Sequence, residues 1–135
     1  MTIRVLLVDD SWEVRERLRI LLLKEPDIEL TGEAGDGAEA IAMIERIPVD
    51  VVVMDLNLPE ISGIETARQI LLEEPGLRVV IISLQSDQSY VKAGFRAGVT
   101  GYLLKDCAFE ELVEAVHIVA GGGSYVSPEI EIGIP

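Results

Sequence analysis

Ile3-Arg4-Val5-Leu6-Leu7-Val8-Asp9-Asp10 decides the fold, because it is an apolar run that ends in two adjacent acids. A second run, Val49-Asp50-Val51-Val52-Val53-Met54, ends in Asp55. Short apolar runs of this kind are typical of strands buried on both faces of a parallel sheet. Three carboxylates are therefore predicted at the sheet edge where open α/β sheets bind ligands. Like charges repel unless a cation or a proton lies among them, so the pattern indicates a hard divalent metal with oxygen ligands.

Apolar runs alternate with segments of helical period along the rest of the chain. Strands are predicted at residues 3–8, 28–33, 49–55, 77–82 and 99–104. Helices are predicted from a cap at Asp10 or Ser11 to Lys24, and at residues 38–47, 63–74, 88–97 and 109–120. The helix at 88–97 is less apolar and contains a glycine, so we expect it to be the most mobile. This (βα)5 order predicts an α/β doubly wound parallel five-stranded sheet with helices on both faces.

Composition limits the classes of partner. The 135 residues are 49% hydrophobic, which suits one well-buried domain. A net charge of −13 opposes direct binding to DNA phosphates or to an anionic membrane. No apolar stretch approaches the roughly 20 residues of a membrane span, and the N-terminus does not resemble a signal peptide, so a cytoplasmic location is expected. Cys107 is the single cysteine, which excludes an intrachain disulfide and leaves a free, partly buried thiol as the expectation.

Polar side chains follow four of the five predicted strands at their carboxyl ends: Asp9, Asp10, Asp55, Ser83 and Lys105. Each has an ordinary explanation by itself. An Asp after a strand often caps the next helix, and a Ser or Lys there is commonly a solvated turn residue. Scattered surface residues would not all fall at one edge, so together they indicate a functional site.

Four segments carry a family resemblance: Val5-Leu6-Leu7-Val8-Asp9-Asp10, Val53-Met54-Asp55-Leu56-Asn57-Leu58-Pro59 with Gly63 after it, Val80-Ile81-Ile82-Ser83, and Gly101-Tyr102-Leu103-Leu104-Lys105. Over residues 3–121 the chain resembles the receiver domain of two-component response regulators. The resemblance implies a flavodoxin-like fold of strand order 2-1-3-4-5. It also implies a domain that takes a phosphoryl group from the phosphohistidine of a sensor histidine kinase.

The resemblance assigns a role to each polar residue. Asp55 is the phosphoacceptor, a carboxylate nucleophile that becomes an acyl phosphate. Asp10, Asp55 and the backbone carbonyl of Asn57 are the expected ligands of Mg²⁺, and Asp9 acts through a bound water. Mg²⁺ suits such a site because it prefers octahedral oxygen coordination and keeps several waters.

Lys105 and Ser83 are the expected partners of the phosphoryl oxygens, by ion pairing and by hydrogen bonding. Ser83 and Tyr102 together form the expected switch. If Ser83 moves to bond the phosphoryl group, it leaves space into which the Tyr102 ring can rotate. Phosphorylation would thereby change the surface at the fourth helix and fifth strand.

Several residues depart from the receiver pattern. Leu84 stands where receivers commonly have a small residue, and we predict that it slows phosphorylation by small donors and hydrolysis by water. Gln85 could hinder or orient that water. Asp106 follows Lys105 where many receivers have a proline after a cis peptide, so the isomer of this bond stays open. Trp12 is either an ordinary surface aromatic or an optical reporter of metal binding.

Three segments are similar to those of receivers from NarL/LuxR-type transcription factors: Glu33-Ala34-Gly35-Asp36-Gly37, Lys105-Asp106 and, near the C-terminus, residues 121–130. The expected division is a receiver at 1–121 and, at 122–135, a tail or the start of a linker to an output domain that the chain lacks. DNA would be bound only through that helix-turn-helix domain. Phosphorylation is expected to promote homodimer formation or to free the output domain, with the first, fourth and fifth helices as candidate surfaces. His117 has no Cys or second His near it in the sequence, which favours a partly buried or interface residue over a metal ligand.

Three other classes of protein share parts of this pattern. A haloacid-dehalogenase-type phosphatase would have its nucleophilic Asp after the first strand, with a second acid two residues later. A flavodoxin would need a Ser/Thr/Gly-rich phosphate loop after the first strand, where Asp9 and Asp10 would repel phosphate. A degenerate receiver that only mediates protein contacts finds its main support in Leu84, and retention of all five polar residues argues against it. A free-standing receiver is the alternative to a receiver that is part of a longer regulator.

Overall fold

Strands and helices alternate along the chain as the sequence predicts. The computed structural model describes residues 1–130, and residues 131–135, the end of the predicted tail, lie outside them. The strands are β1 (Ile3–Val8), β2 (Ile28–Ala34), β3 (Val51–Asp55), β4 (Arg78–Ser83), β5 (Gly101–Leu104) and β6 (Tyr125–Val126). The helices are α1 (Trp12–Leu23), α2 (Gly37–Ile44), α3 (Gly63–Glu73), α4 (Gln88–Ala97) and α5 (Ala108–Ala120).

The strands form one parallel sheet in the order β2-β1-β3-β4-β5-β6. The predicted order 2-1-3-4-5 is confirmed, and β6 extends it by one strand. Val8 is paired with Met54, Asp55 with Ile82, and Ser83 with Leu104. This register places the carboxyl ends of β1, β3, β4 and β5 side by side, which brings their terminal residues to one edge.

Apolar side chains cover both faces of the sheet. Alternate residues of β1 and β3 point to opposite sides, since the side-chain period of a strand is two. Val5 and Leu7 pack with α1 and α5, whereas Leu6 and Val8 pack in the second cluster on the other face, with residues of α2, α3 and α4. The near-continuous apolar runs are thereby explained, because both faces of these strands are buried.

Three predicted boundaries were wrong by two or three residues. The third strand begins at Val51 rather than at Val49. The second helix ends at Ile44 rather than at Ile47, before the proline that was taken as its limit. The fifth strand begins at Gly101 rather than at Val99, because α4 ends in a left-handed Gly98 (φ 105°) and the amide of Val99 still bonds to the carbonyl of Gly94 (3.2 Å). A positive φ favours glycine at this cap.

The short strand β6 was not predicted. Its two residues pair with β5, and the amide of Ser127 then donates to the carbonyl of Tyr102 (3.0 Å). The Ser127 hydroxyl is buried, where it accepts from the amide of Leu104 (3.0 Å) and donates to Glu111 (2.7 Å). Residues 125–130 therefore pack against the sheet. The functional division at residue 121 stays a prediction.

Candidate functional site

The three predicted acids lie together at the carboxyl edge of the sheet. Each of Asp9, Asp10 and Asp55 places a carboxylate oxygen within 4.8 Å of the other two. Asp9 and Asp55 are each 3% exposed, whereas Asp10 is exposed to solvent. The site is thus a partly buried acidic pocket with one carboxylate at its mouth.

Backbone amides hold two of these carboxylates. The amide of Ser11 donates to Asp9 Oδ1 (2.9 Å), and the amide of Asn57 donates to Asp55 Oδ1 (3.0 Å). The N–H group of Asn57 thus orients the Asp55 carboxylate. The family resemblance implied a role only for the Asn57 carbonyl, as a ligand of Mg²⁺. Gly63 closes the loop after β3, because its amide bonds to the carbonyl of Leu56 (2.7 Å). A Cβ at Gly63 would lie 2.3 Å from the Asp55 carbonyl oxygen, so only glycine fits without a backbone shift.

Lys105 brings its ammonium group into contact with the acidic pocket. Its Nζ lies 3.3 Å from Asp55 Oδ2, and its amide donates to the carbonyl of Ser83 (2.7 Å). The Lys105–Asp106 peptide is trans, which settles the isomer that the sequence left open. The end of β5 therefore presents the lysine to Asp55 without a proline.

Burial sets the charge balance of the pocket. Loss of hydration raises the pKa of Asp9 from 3.8 to about 6, and repulsion from Asp55 and Asp10 acts in the same direction. The Ser11 amide and Lys105 oppose this shift. One lysine does not neutralise three carboxylates, and clustered carboxylate oxygens are the donors that Mg²⁺ prefers. The residues present therefore fit a magnesium site.

Ser83, Gln85 and Tyr102 form a connected group beside the pocket. The Ser83 hydroxyl accepts from the amide of Gln85 (2.8 Å), and the Tyr102 hydroxyl donates to the carbonyl of Gln85 (2.8 Å). The Tyr102 ring is fully buried, and burial raises its pKa above 10. The Tyr102 ring is buried in this structure while the Ser83 hydroxyl is bonded to the Gln85 amide. The inward position of the ring therefore does not require Ser83 to bond a phosphoryl oxygen. Sequence reasoning missed the backbone of Gln85 because no side-chain pattern signals it.

The remaining singled-out residues lie around or away from this pocket. Leu84 is 60% exposed and Trp12 is 66% exposed, so both present apolar surface to solvent. Cys107 is a free and partly buried thiol, as expected, and burial raises its pKa to about 11. His117 lies at the opposite edge of the sheet, in the last turn of α5. Among residues 1–130, no helix combines the length and the apolar character that crossing a bilayer requires.

A family model described as the response regulator receiver domain matches residues 5–117. The chain belongs to this family. Among curated relatives, the receiver is 42% identical over 120 residues to the transcriptional regulatory protein YxjL of Bacillus subtilis, covering 89% of this chain and 55% of the relative. It is 35% identical over 128 residues to DegU of Brevibacillus brevis, covering 95% of this chain and 54% of the relative. It spans only about half the length of these two relatives.

Solved structures agree with this assignment. A LuxR-family two-component response regulator from Aurantimonas superposes on the receiver with a TM-score of 0.92 at 35% identity, covering 96% of this chain and 93% of that one. The signal receiver domain of the putative regulator NarL from Mycobacterium tuberculosis gives 0.84 at 32% identity, covering 90% and 98%. The receiver fold and the resemblance to the NarL/LuxR-type subfamily are thereby confirmed.

Proposed function

We propose that Asp55 of this receiver accepts a phosphoryl group from the phosphohistidine of a sensor histidine kinase. The supporting observation is the convergence of buried Asp55 with Asp9, Asp10 and the Lys105 ammonium at one sheet edge. A carboxylate oxygen of Asp55 attacks phosphorus in line, and an acyl phosphate bond forms. The bond from phosphorus to the kinase imidazole breaks, and its electron pair leaves with the imidazole nitrogen.

Asp10, Asp55 and the Asn57 carbonyl would hold Mg²⁺, with Asp9 acting through a water. When bound, Mg²⁺ supplies positive charge that offsets the charge of the transferring phosphoryl oxygens. Backbone amides occupy Oδ1 of Asp9 and of Asp55, which keeps both carboxylates in one orientation. Preorganised donors of this kind reduce the reorganisation that binding requires.

Lys105 and Ser83 would receive the phosphoryl group. The Lys105 ammonium, 3.3 Å from Asp55 Oδ2, would pair with a phosphoryl oxygen once the carboxylate charge has been used in the new bond. The Ser83 hydroxyl accepts from Gln85 and still has its own proton to donate, since a hydroxyl is both donor and acceptor. Because Gln85 also bonds Tyr102, a shift of Ser83 would reach the α4 and β5 surface through this loop.

The output of this receiver is proposed to be transcriptional. YxjL and DegU are transcriptional regulatory proteins, and the chain matches about half of each. Phosphorylation of Asp55 would then activate a DNA-binding domain outside the chain, either through homodimer formation or by release of that domain. The cytoplasmic location stays a prediction.

Intact mass after incubation with acetyl phosphate or phosphoramidate tests the proposal. We expect one Mg²⁺-dependent phosphoryl adduct, labile to hydroxylamine and absent from Asp55→Asn. If no adduct forms, the cognate kinase replaces the small donor, because Leu84 is predicted to obstruct small donors. Failure with the kinase as well would overturn the phosphoacceptor assignment in favour of a degenerate interaction module.

A further inference from the structure

A second cluster of metal-ligating groups lies at the amino edge of the sheet, away from the acidic pocket. Glu25 and Asp27 precede β2, and His117 is in the last turn of α5. One ligand atom from each lies within 4.8 Å of the others, and His117 Nε2 is 2.8 Å from Asp27 Oδ2. The sequence argued against a metal role for His117 because no Cys or second His is near. The fold instead supplies two carboxylates from 90 or more positions away.

Both ring nitrogens of His117 have a partner within hydrogen-bond distance. Nδ1 lies 3.0 Å from the carbonyl oxygen of Val113, which can only accept, so Nδ1 carries a proton. In the neutral ring Nε2 then has a lone pair, which would face the carboxylate of Asp27. That lone pair can bind a metal ion to which Asp27 also supplies an oxygen. A backbone carbonyl on the other ring nitrogen is the usual way in which a metal-binding histidine is oriented.

A short turn fixes the backbone that carries the two carboxylates. Pro26 fixes the backbone between them, and the amide of Ile28 donates to the carbonyl of Glu25 (3.2 Å). The amide of Ile3 donates to the carbonyl of Asp27 (2.7 Å) and ties this turn to β1. A protein that brings its donors on a fixed backbone loses less entropy when a ligand binds.

Charges of both signs surround the cluster. Glu25 and Asp27 bring two carboxylates, Lys24 precedes Glu25, and Met1 lines the same cavity as Asp27 and His117. The C-terminal ends of α1 and α5 both lie here, and each contributes the partial negative charge of its free carbonyl groups. The net charge of −13 adds to this potential.

We propose that Glu25, Asp27 and His117 bind a divalent transition-metal ion of the zinc class. The imidazole nitrogen is a borderline ligand that suits Zn²⁺, whereas Mg²⁺ and Ca²⁺ prefer oxygen ligands alone, and zinc sites also accept carboxylates. Ligand atoms around a tetrahedral zinc lie about 3.3 Å apart, because its bonds to N and O are about 2.0–2.1 Å. A cavity of about 190 Å³ beside Asp27 and His117 leaves room for water to complete the coordination.

The bound ion would fasten the end of α5 to the turn between α1 and β2. This metal site lies at the opposite edge of the sheet from Asp55 and takes no part in phosphoryl transfer. Neither proposal therefore depends on the other. The cluster of Cys107, Glu111 and Glu129 is a weaker candidate. Its thiol is held protonated by a pKa of about 11, and Glu111 already accepts from Ser127.

The experiment uses the full chain without a histidine tag, in saturating Mg²⁺ so that the acidic pocket is filled. His117 is the only histidine of the 135 residues, so its imidazole NMR signals are unambiguous. Titration with Zn²⁺ is expected to shift the Nε2 resonance at one equivalent per chain. Zn²⁺ affinity measured calorimetrically is expected to fall about tenfold or more in Asp27→Asn and in His117→Gln.

Glu29→Gln is the matched control, because it removes the same charge from a neighbouring exposed position outside the cluster. It should keep the affinity of the wild type, and circular dichroism of each variant checks that the fold is intact. A Zn²⁺ titration that leaves the imidazole signals unchanged would overturn the proposal. Equal loss of affinity in Glu29→Gln and Asp27→Asn would also overturn it, since the effect would then be one of net charge.

Discussion

Replacement of Asp9 by asparagine should stabilise the metal-free receiver. The folded protein keeps this carboxylate buried near Asp55 and Asp10, and its pKa rises from 3.8 to about 6. Two pKa units correspond to about 3 kcal/mol, the cost of keeping Asp9 ionised in the fold at neutral pH. Asparagine has a similar size and keeps an oxygen for the Ser11 amide, so most of this cost should be removed without a lost hydrogen bond.

The stability gain from Asp9→Asn should depend on pH. A carboxyl group with a raised folded-state pKa binds its proton more tightly in the native state, so its contribution to stability falls as pH rises from about 4 to 6. The advantage of Asp9→Asn should therefore be full above about pH 6 and shrink towards pH 4. For a chain of this length, 3 kcal/mol corresponds to a rise in Tm of roughly 6–12 °C.

Thermal unfolding in EDTA at pH 7.5 and at pH 4.5 measures the effect. Asp10→Asn serves as the control, because its exposed carboxylate remains hydrated and its removal should change Tm much less. Added Mg²⁺ should raise the Tm of the wild type more than that of Asp9→Asn. In the wild type the ion offsets the repulsion between Asp9 and the other carboxylates, whereas in the variant the substitution has already removed it. Equal stability of wild type and variant at pH 7.5, or the same gain at both pH values, would refute the reasoning.

Three further substitutions test individual contacts. Gly63→Ala should lower the free energy of unfolding by about 1–3 kcal/mol and slow phosphorylation, since its Cβ would meet backbone atoms of the Asp55 loop. Gly76→Ala is the control, because a Cβ there enters open space and should leave the free energy of unfolding nearly unchanged in denaturant titration. Ser127→Ala should cost about 1–3 kcal/mol by leaving the Leu104 amide without its partner, and a change no larger than that of exposed Ser124→Ala would contradict this assignment. Leu84→Ala should speed both phosphorylation by acetyl phosphate and loss of the phosphoryl group, and unchanged rates would show that this side chain shields nothing.

The buried strands were predictable because their pattern is local. β1 and β3 are continuous apolar runs that end in acids, and the rule that parallel strands share one carboxyl edge placed Asp9 and Asp55 together. Ser83 and Lys105 followed from the same rule. These positions required only strand direction, which the alternation of strands and helices indicates, whereas the sheet order was implied by the family resemblance.

Contacts that depend on backbone groups or on distant pairing were not predictable. The amide and carbonyl of Gln85 join Ser83 to Tyr102, and every residue type except proline carries both groups. β6 has two residues, too few for a periodic pattern. The approach of His117 to Asp27 depends on how α5 packs against α1, which no spacing within either segment reveals.

The attachment of β6 also determines what the receiver can offer to another molecule. With β6 in place, the backbone groups of β5 that face it are satisfied by Tyr125 and Ser127. Shortening the chain to Ala120 would leave that side of β5 as an open edge, next to the Tyr102 ring. Open edges of parallel strands recruit foreign strands and seed aggregation. The short C-terminal strand thus protects the edge of β5. A partner that displaces β6 would also expose this edge for strand pairing.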